Sequence, residues 1–277
     1  MCGIFGGIGR QLNPGIIRAL ALINRERGTD SLGFFANSGK FIKRAGDPLE
    51  CLGDDDFADF IEKSCKKGWF LAGHTRFATR GKVTTRNAHP FRFGRIVGCH
   101  NGVVTLPAKS RYPVDSEYLF DSLNKANGDY QTAFGEIVGY WALSWFDGCS
   151  FYLQAHGGEV SIGCDAFGNW YYSSDWHHLE ACTGPLCKTA TISNGGTIRF
   201  GIKSREYEIL PAFVSTVPSV WWGLTEKKEK KGKKAQTGLA ETTEESDDPF
   251  YVKDDESESW ARAVAWEDYT ESDARLD

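Results

Sequence analysis

The chain has 277 residues, 41% of them hydrophobic and 25% charged, with 18 Phe, 10 Tyr and 9 Trp. That is enough apolar material for one well-buried core, and no run of about 18 uncharged apolar residues suggests a membrane span. The net charge of −5 is uneven: from Thr225 onward nine basic residues face sixteen acidic ones, leaving 23 against 21 in the first 224 residues. A near-neutral body argues against nucleic-acid binding as the main task.

The start, Met1-Cys2-Gly3-Ile4-Phe5, has neither the basic region nor the apolar run of a signal peptide, so the expected location is cytoplasmic. In such a compartment eight scattered cysteines without a C-x-x-C pair read as free thiols. Along the chain, runs of strand length occur at 2–8, 33–37, 40–45, 69–76, 95–104, 140–147, 150–156, 159–165, 169–173, 189–193 and 196–201. Helical patterns are fewer. Residues 14–25 put Ile16, Ile17, Leu20 and Ile23 on one face, with Pro14 at the start and Gly28 past the end. Residues 55–67 follow the acidic entry Asp54-Asp55-Asp56. Residues 115–127 begin at Asp115, turn Tyr118, Leu119 and Leu123 inward and stop at Gly128. Many strands and few helices predict an α+β protein with stacked antiparallel sheets.

After Trp222-Gly223 the composition changes. Residues 225–250 are charged and too poor in apolar surface to offset the entropy of ordering, which predicts a disordered linker. Residues 251–277 read as an acidic tail, in which Trp260, Val264, Trp266 and Tyr269 would suit a short helix. The expected globular unit is therefore 1–224.

Cys2 is the first residue with chemistry to offer. Methionine aminopeptidases remove Met1 before a small second residue, which would leave a thiol and a free α-amine on one residue. That amine, with an ordinary pKa of about 8, can act as a base toward its own thiol. By itself a cysteine at position 2 is more often a strand residue. The glycines at 3, 6, 7 and 9 do not form a phosphate loop, since G-x-G-x-x-G from Gly7 would need glycine where Leu12 stands.

Four further segments accompany Cys2-Gly3-Ile4-Phe5-Gly6. They are Arg27-Gly28-Thr29-Asp30-Ser31-Leu32-Gly33, Gly73-His74-Thr75-Arg76-Phe77-Ala78-Thr79-Arg80-Gly81, Asn87-Ala88-His89-Pro90-Phe91 and His100-Asn101-Gly102. In this order, over roughly residues 1–200, they resemble the glutaminase domain of class II (N-terminal nucleophile) glutamine amidotransferases. The resemblance implies a four-layer αββα sandwich of two stacked antiparallel sheets, with Cys2 as nucleophile. It implies an oxyanion hole from the Asn101 side-chain amide and the Gly102 N–H, two donors that suit a developing O⁻. Outside this context Asn-Gly is most often a hairpin turn.

The same resemblance implies that Arg76 and Thr79 grip the α-carboxylate of L-glutamine, where a guanidinium pairs well with a carboxylate. Asp115 would hold the α-ammonium; as a plain residue it would cap a helix. Arg27, Asp30 and His74 would support the site. Phe77 and Arg80 depart from relatives that carry Trp or Tyr, and His, at those places.

His74, His89 and His100 lack metal-ligand spacing and read as hydrogen-bonded structural residues, so neither metal nor cofactor is expected. No acceptor domain is legible after residue 224. Ammonia would then be released or pass to a separate synthetase, reached through the C-terminal tail. The alternatives are a stand-alone amidase on another γ-glutamyl compound and a non-catalytic binding module of the same fold.

Overall fold

A computed structural model describes residues 2–79 and 81–213, and the backbone of 250–252. The chain enters on strand β1 (Gly3–Ile8), then helix α1 (Pro14–Ile23) continues into a 3₁₀ turn at Asn24–Arg27. Strands β2 (Ser31–Ala36) and β3 (Phe41–Ala45) follow, then α2 (Pro48–Leu52), α3 (Asp55–Lys67) and β4 (Phe70–Arg76). Next come β5 (Phe91–Phe93), β6 (Ile96–Val104), α4 (Asp115–Ala126) and α5 (Tyr130–Glu136). Strands β7 (Gly139–Phe146), β8 (Ser150–His156), β9 (Val160–Cys164) and β10 (Trp170–Ser173) lead to α6 (Trp176–Thr183). The last elements are β11 (Lys188–Ile192), β12 (Thr197–Gly201), β13 (Tyr207–Leu210) and β14 (Phe250–Val252).

Two antiparallel sheets result. The larger has the order β14-β11-β9-β10-β1-β4-β2-β3, and the smaller β13-β12-β8-β7-β6-β5. The apolar residues of β1 and β4 alternate between two layers. Ile4, Ile8, Phe70 and Ala72 meet Val97, Cys99, Ala142, Phe146, Phe151 and Leu153 between the sheets. Phe5 and Leu71 face the other way, against Ile17 and Leu20 of α1, Phe57 and Ile61 of α3, and Leu179 of α6. On the far side, Trp141, Leu143 and Trp145 of β7 cover Leu119, Phe120 and Leu123 of α4 and Phe134 of α5. The expected αββα order of layers is therefore found. Strands buried on both faces explain why so many read as unbroken apolar runs rather than alternating ones.

Helix starts follow the sequence signals closely. Asn13, Asp47, Asp54, Asp129 and Asp175 cap α1, α2, α3, α5 and α6 by accepting a backbone N–H. The inward stripe of α4 is shifted from the expected one: Leu119, Phe120 and Leu123 are fully buried, while Tyr118 is half-buried. The 225–250 linker and 251–277 tail lie outside the described residues, apart from β14 at the sheet edge. Among the described residues no helix is long and apolar enough to cross a membrane, and the eight cysteines are unpaired thiols.

Candidate active site

The start of β1 and the end of β4 lie side by side, because the register pairs Gly3 with Thr75. This brings residue 2 next to residues 76 and 77, the latter 75 positions away in sequence. The Cys2 Sγ sits 3.4 Å from the backbone N–H of Phe77, which donates to it, and 3.5 Å from the Phe77 carbonyl. Burial pushes the Cys2 thiol pKa up; the hydrogen bond with Phe77 and the Arg76 guanidinium only partly offset this. A thiol in this setting needs a base at the moment it reacts.

One small pocket collects most of the residues singled out from the sequence. Cys2, Arg76, Thr79, Gly102 and Asp115 line it, together with Phe77, Asn87, His89 and Phe91 among others. Arg76 is almost fully buried, and its Nη1 lies 3.4 Å from the Lys82 carbonyl. Asn101 is half-buried in β6 opposite Ala142, between the lining residues His100 and Gly102, and is not itself among the lining residues. The Asn-Gly pair is not a turn: it lies inside the nine-residue β6, where Gly102 faces Trp141. Gly102 has φ +149°, and a Cβ there would come within 2.1 Å of the Tyr140 carbonyl oxygen, so only glycine fits.

Asp115 does more than cap a helix. Val114 occupies the cap position of α4 without a side-chain bond, and Asp115 follows as the first helical residue. Its two oxygens accept from the N–H of Ser116 at 3.1 Å and from the N–H of Val104 on β6 at 3.0 Å. The carboxylate is thereby fixed between helix and strand at the pocket wall.

Behind the pocket, three expected supports each touch something specific. Arg27 donates through Nε to the Cys2 carbonyl at 2.9 Å and through Nη1 to Asp175 at 3.0 Å. Asp30 accepts from the Ala78 N–H at 2.6 Å, and its own N–H donates to the Arg76 carbonyl at 2.9 Å. It therefore shapes the turn that carries Arg76 and Phe77 rather than touching Cys2 directly. His74 is fully buried, with Nε2 3.0 Å from the His100 carbonyl and its ring centroid 3.9 Å from that of His89. Burial drives the His74 pKa down to about 3, and His89 and His100 are also lowered, mainly by burial. These rings are neutral at physiological pH and donate or accept without bringing charge to the site.

Ser116 ties the histidines together: its hydroxyl lies 3.1 Å from His89 Nε2 and 3.0 Å from His100 Nδ1. Among the described residues no group of three or more His, Cys, Asp or Glu is placed to hold a metal ion. Sequence reasoning missed Ser116 and Asp175. Ser116 directly follows Asp115 in the chain, whereas Asp175 carries no local signal.

No protein-family model matches the chain. Known sequences do. The glutamine--fructose-6-phosphate aminotransferase (isomerizing) of Mycolicibacterium paratuberculosis is 33% identical over 122 residues, 42% of this chain and 19% of that protein. The enzyme of the same name from Caldanaerobacter subterraneus subsp. tengcongensis is 35% identical over 129 residues, 44% of this chain and 20% of that one. The match thus spans about a fifth of the length of these relatives.

Among solved structures, the glutamine phosphoribosylpyrophosphate amidotransferase of B. subtilis complexed with ADP and GMP aligns with a TM-score of 0.58 at 18% identity, over 75% of this chain and 49% of that one. A structure described as the allosteric regulatory enzyme of purine biosynthesis gives 0.59, with the same identity and coverage. At 18% identity that likeness is one of fold. In sequence and in fold, the chain resembles the glutaminase domain of class II, N-terminal nucleophile glutamine amidotransferases.

Proposed function

We propose that the chain hydrolyses the side-chain amide of L-glutamine through Cys2. The observation that carries this reading is the meeting, in one pocket, of a thiol, a buried guanidinium and a fixed carboxylate. Such a pocket can hold an amino acid by its two charged ends and bring its side chain to a nucleophile. With Met1 removed, the Cys2 amine takes the thiol proton and sulfur attacks the glutamine Cδ. The Gly102 N–H and the Asn101 amide stabilise the oxyanion. The ammonium returns the proton to the departing nitrogen, so that ammonia leaves and a γ-glutamyl thioester remains. Water, deprotonated by the same amine, then releases glutamate and the thiol.

In this reading Arg76 and Thr79 bind the α-carboxylate and Asp115 the α-ammonium. The relatives' names, which speak of an aminotransferase and an amidotransferase, support delivery of the ammonia to an acceptor enzyme rather than its release. The acceptor, recruited through the tail after residue 224, is part of the same proposal.

The test is glutaminase activity in the parent and in Cys2→Ala, with labelling by a diazoketone analogue of glutamine followed by intact mass. The parent should hydrolyse glutamine and take one label on a Cys2 that has lost Met1. The alanine variant should fold and do neither. Activity surviving at the parent rate in Cys2→Ala would remove the assigned nucleophile.

A further inference from the structure

Lys43 belongs to β3, at the outer edge of the larger sheet, and pairs in register with Gly33 of β2. Its Nζ donates to three carbonyls: Ala88 at 2.8 Å, Pro90 at 3.0 Å and Arg86 at 3.2 Å. An ammonium has three donors, so all of them are engaged. The three acceptors are alternate residues of one segment. The residues between and after them, Asn87, His89 and Phe91, line the Cys2 pocket.

The same segment is seated from below. A Cβ on Gly33 would come within 2.0 Å of the His89 carbonyl oxygen, so the bare glycine allows the chain to lie close over β2. The aromatic ring of Phe91 closes the other side, 4.9 Å from Lys43 Nζ. The pocket-facing side of this segment then reaches α4 through His89 and Ser116, next to Asp115. Lys43 is outside the pocket, yet its three bonds all go to the segment that carries the lining residues Asn87, His89 and Phe91.

We infer that Lys43 is a positioning residue for glutamine binding, holding residues 86–91 as one wall of the Cys2 pocket; this rests on the glutaminase reading above. It touches neither substrate nor reacting atoms. Its loss should therefore weaken binding of the substrate more than the chemistry at Cys2, which Arg27 and Phe77 hold independently.

The experiment compares full-length parent, Lys43→Met and Lys43→Arg in steady-state glutaminase kinetics, with thermal melting and amide hydrogen exchange of 84–91 measured alongside. Lys43→Met should raise KM about tenfold with kcat within about threefold, and should speed exchange in 84–91. Lys43→Arg, which keeps the charge but not a compact three-way donor, should fall between the two. An unchanged KM in Lys43→Met, with or without a lower melting temperature, would overturn the inference. If the methionine variant does not fold, the arginine variant decides: a KM equal to the parent's overturns it. A parent that does not hydrolyse glutamine would instead remove the reading on which it rests, a distinct result visible before any variant is made.

Discussion

Arg27 Nε donates to the carbonyl oxygen of Cys2 at 2.9 Å, with the guanidinium anchored at its other end by Asp175 at 3.0 Å. The anchor is itself fixed, because Asp175 caps α6 by accepting from the His177 N–H at 3.0 Å. The residue proposed as nucleophile is thus held on its C-terminal side through its carbonyl oxygen. Truncating Arg27 to Ala should lower kcat about 10- to 100-fold with a smaller change in KM, since misplacing a reacting group by about an ångström costs of that order. Steady-state kinetics of Arg27→Ala and Asp175→Asn would check it. The idea fails if both variants keep the parent kcat.

Burial pushes the Cys2 thiol pKa up, so in the proposed mechanism the thiol reacts with the help of a base, its own α-amine. Activity should rise with pH as that amine loses its proton, with a midpoint near its ordinary value of about 8. A form made with an uncleavable residue before Cys2 should lose activity, because the amine becomes an amide. A pH profile of kcat/KM on both forms is the measurement; full activity in the blocked form would exclude the amine as base.

Asp115 carries a charge that its structural bonds do not need. In Asp115→Asn the side-chain oxygen can still accept from Val104 at the loss of the bond from the Ser116 N–H, so the fold should persist, but the counter-charge for an α-ammonium is gone. A hydrogen bond to a charged group contributes about 1.5–3 kcal/mol, which predicts a KM roughly 10- to 150-fold higher at a similar melting temperature. Equal KM values for parent and variant would remove Asp115 from substrate binding.

Buried neutral histidines make the fold sensitive to acid. The folded-state pKa of His74, about 3, lies below its ordinary value of 6.5, so between these pH values the unfolded chain binds a proton that the folded chain does not. Stability is therefore complete above about pH 6.5 and drains as pH falls toward 3. From pH 7.5 to 5 this residue alone should remove about 2 kcal/mol. His74→Gln keeps a donor for the His100 carbonyl without titrating. Denaturant unfolding at the two pH values should show a shallower loss for the variant, and parallel losses would refute the assignment.

Much of this molecule was legible in the sequence because much of it is local. The apolar runs at 69–76 and 95–104 became β4 and β6, and the acidic entry at 54–56 and the Asp115 start became the openings of α3 and α4. The short elements were not legible. Helix α5 spans seven residues with a glycine near its end, and α2 spans five, too few for a periodic face to appear. Strands β5 and β13, of three and four residues, are defined by the neighbours they pair with rather than by their own composition.

The site divides in the same way. The resemblance carried by the motifs pointed to Cys2, Asn101, Gly102, Arg76, Thr79 and Asp115 as candidates, and all of these but Asn101 line one pocket. Only the tertiary structure decided what touches what: that Phe77 lies on the Cys2 sulfur, that Asp175 backs Arg27, and that an edge-strand lysine holds the 86–91 wall. Those contacts span between 43 and 148 positions along the chain. They exist because two sheets stack with one register among many, and that register is chosen by burial summed over the whole core, a quantity that no short stretch of sequence contains.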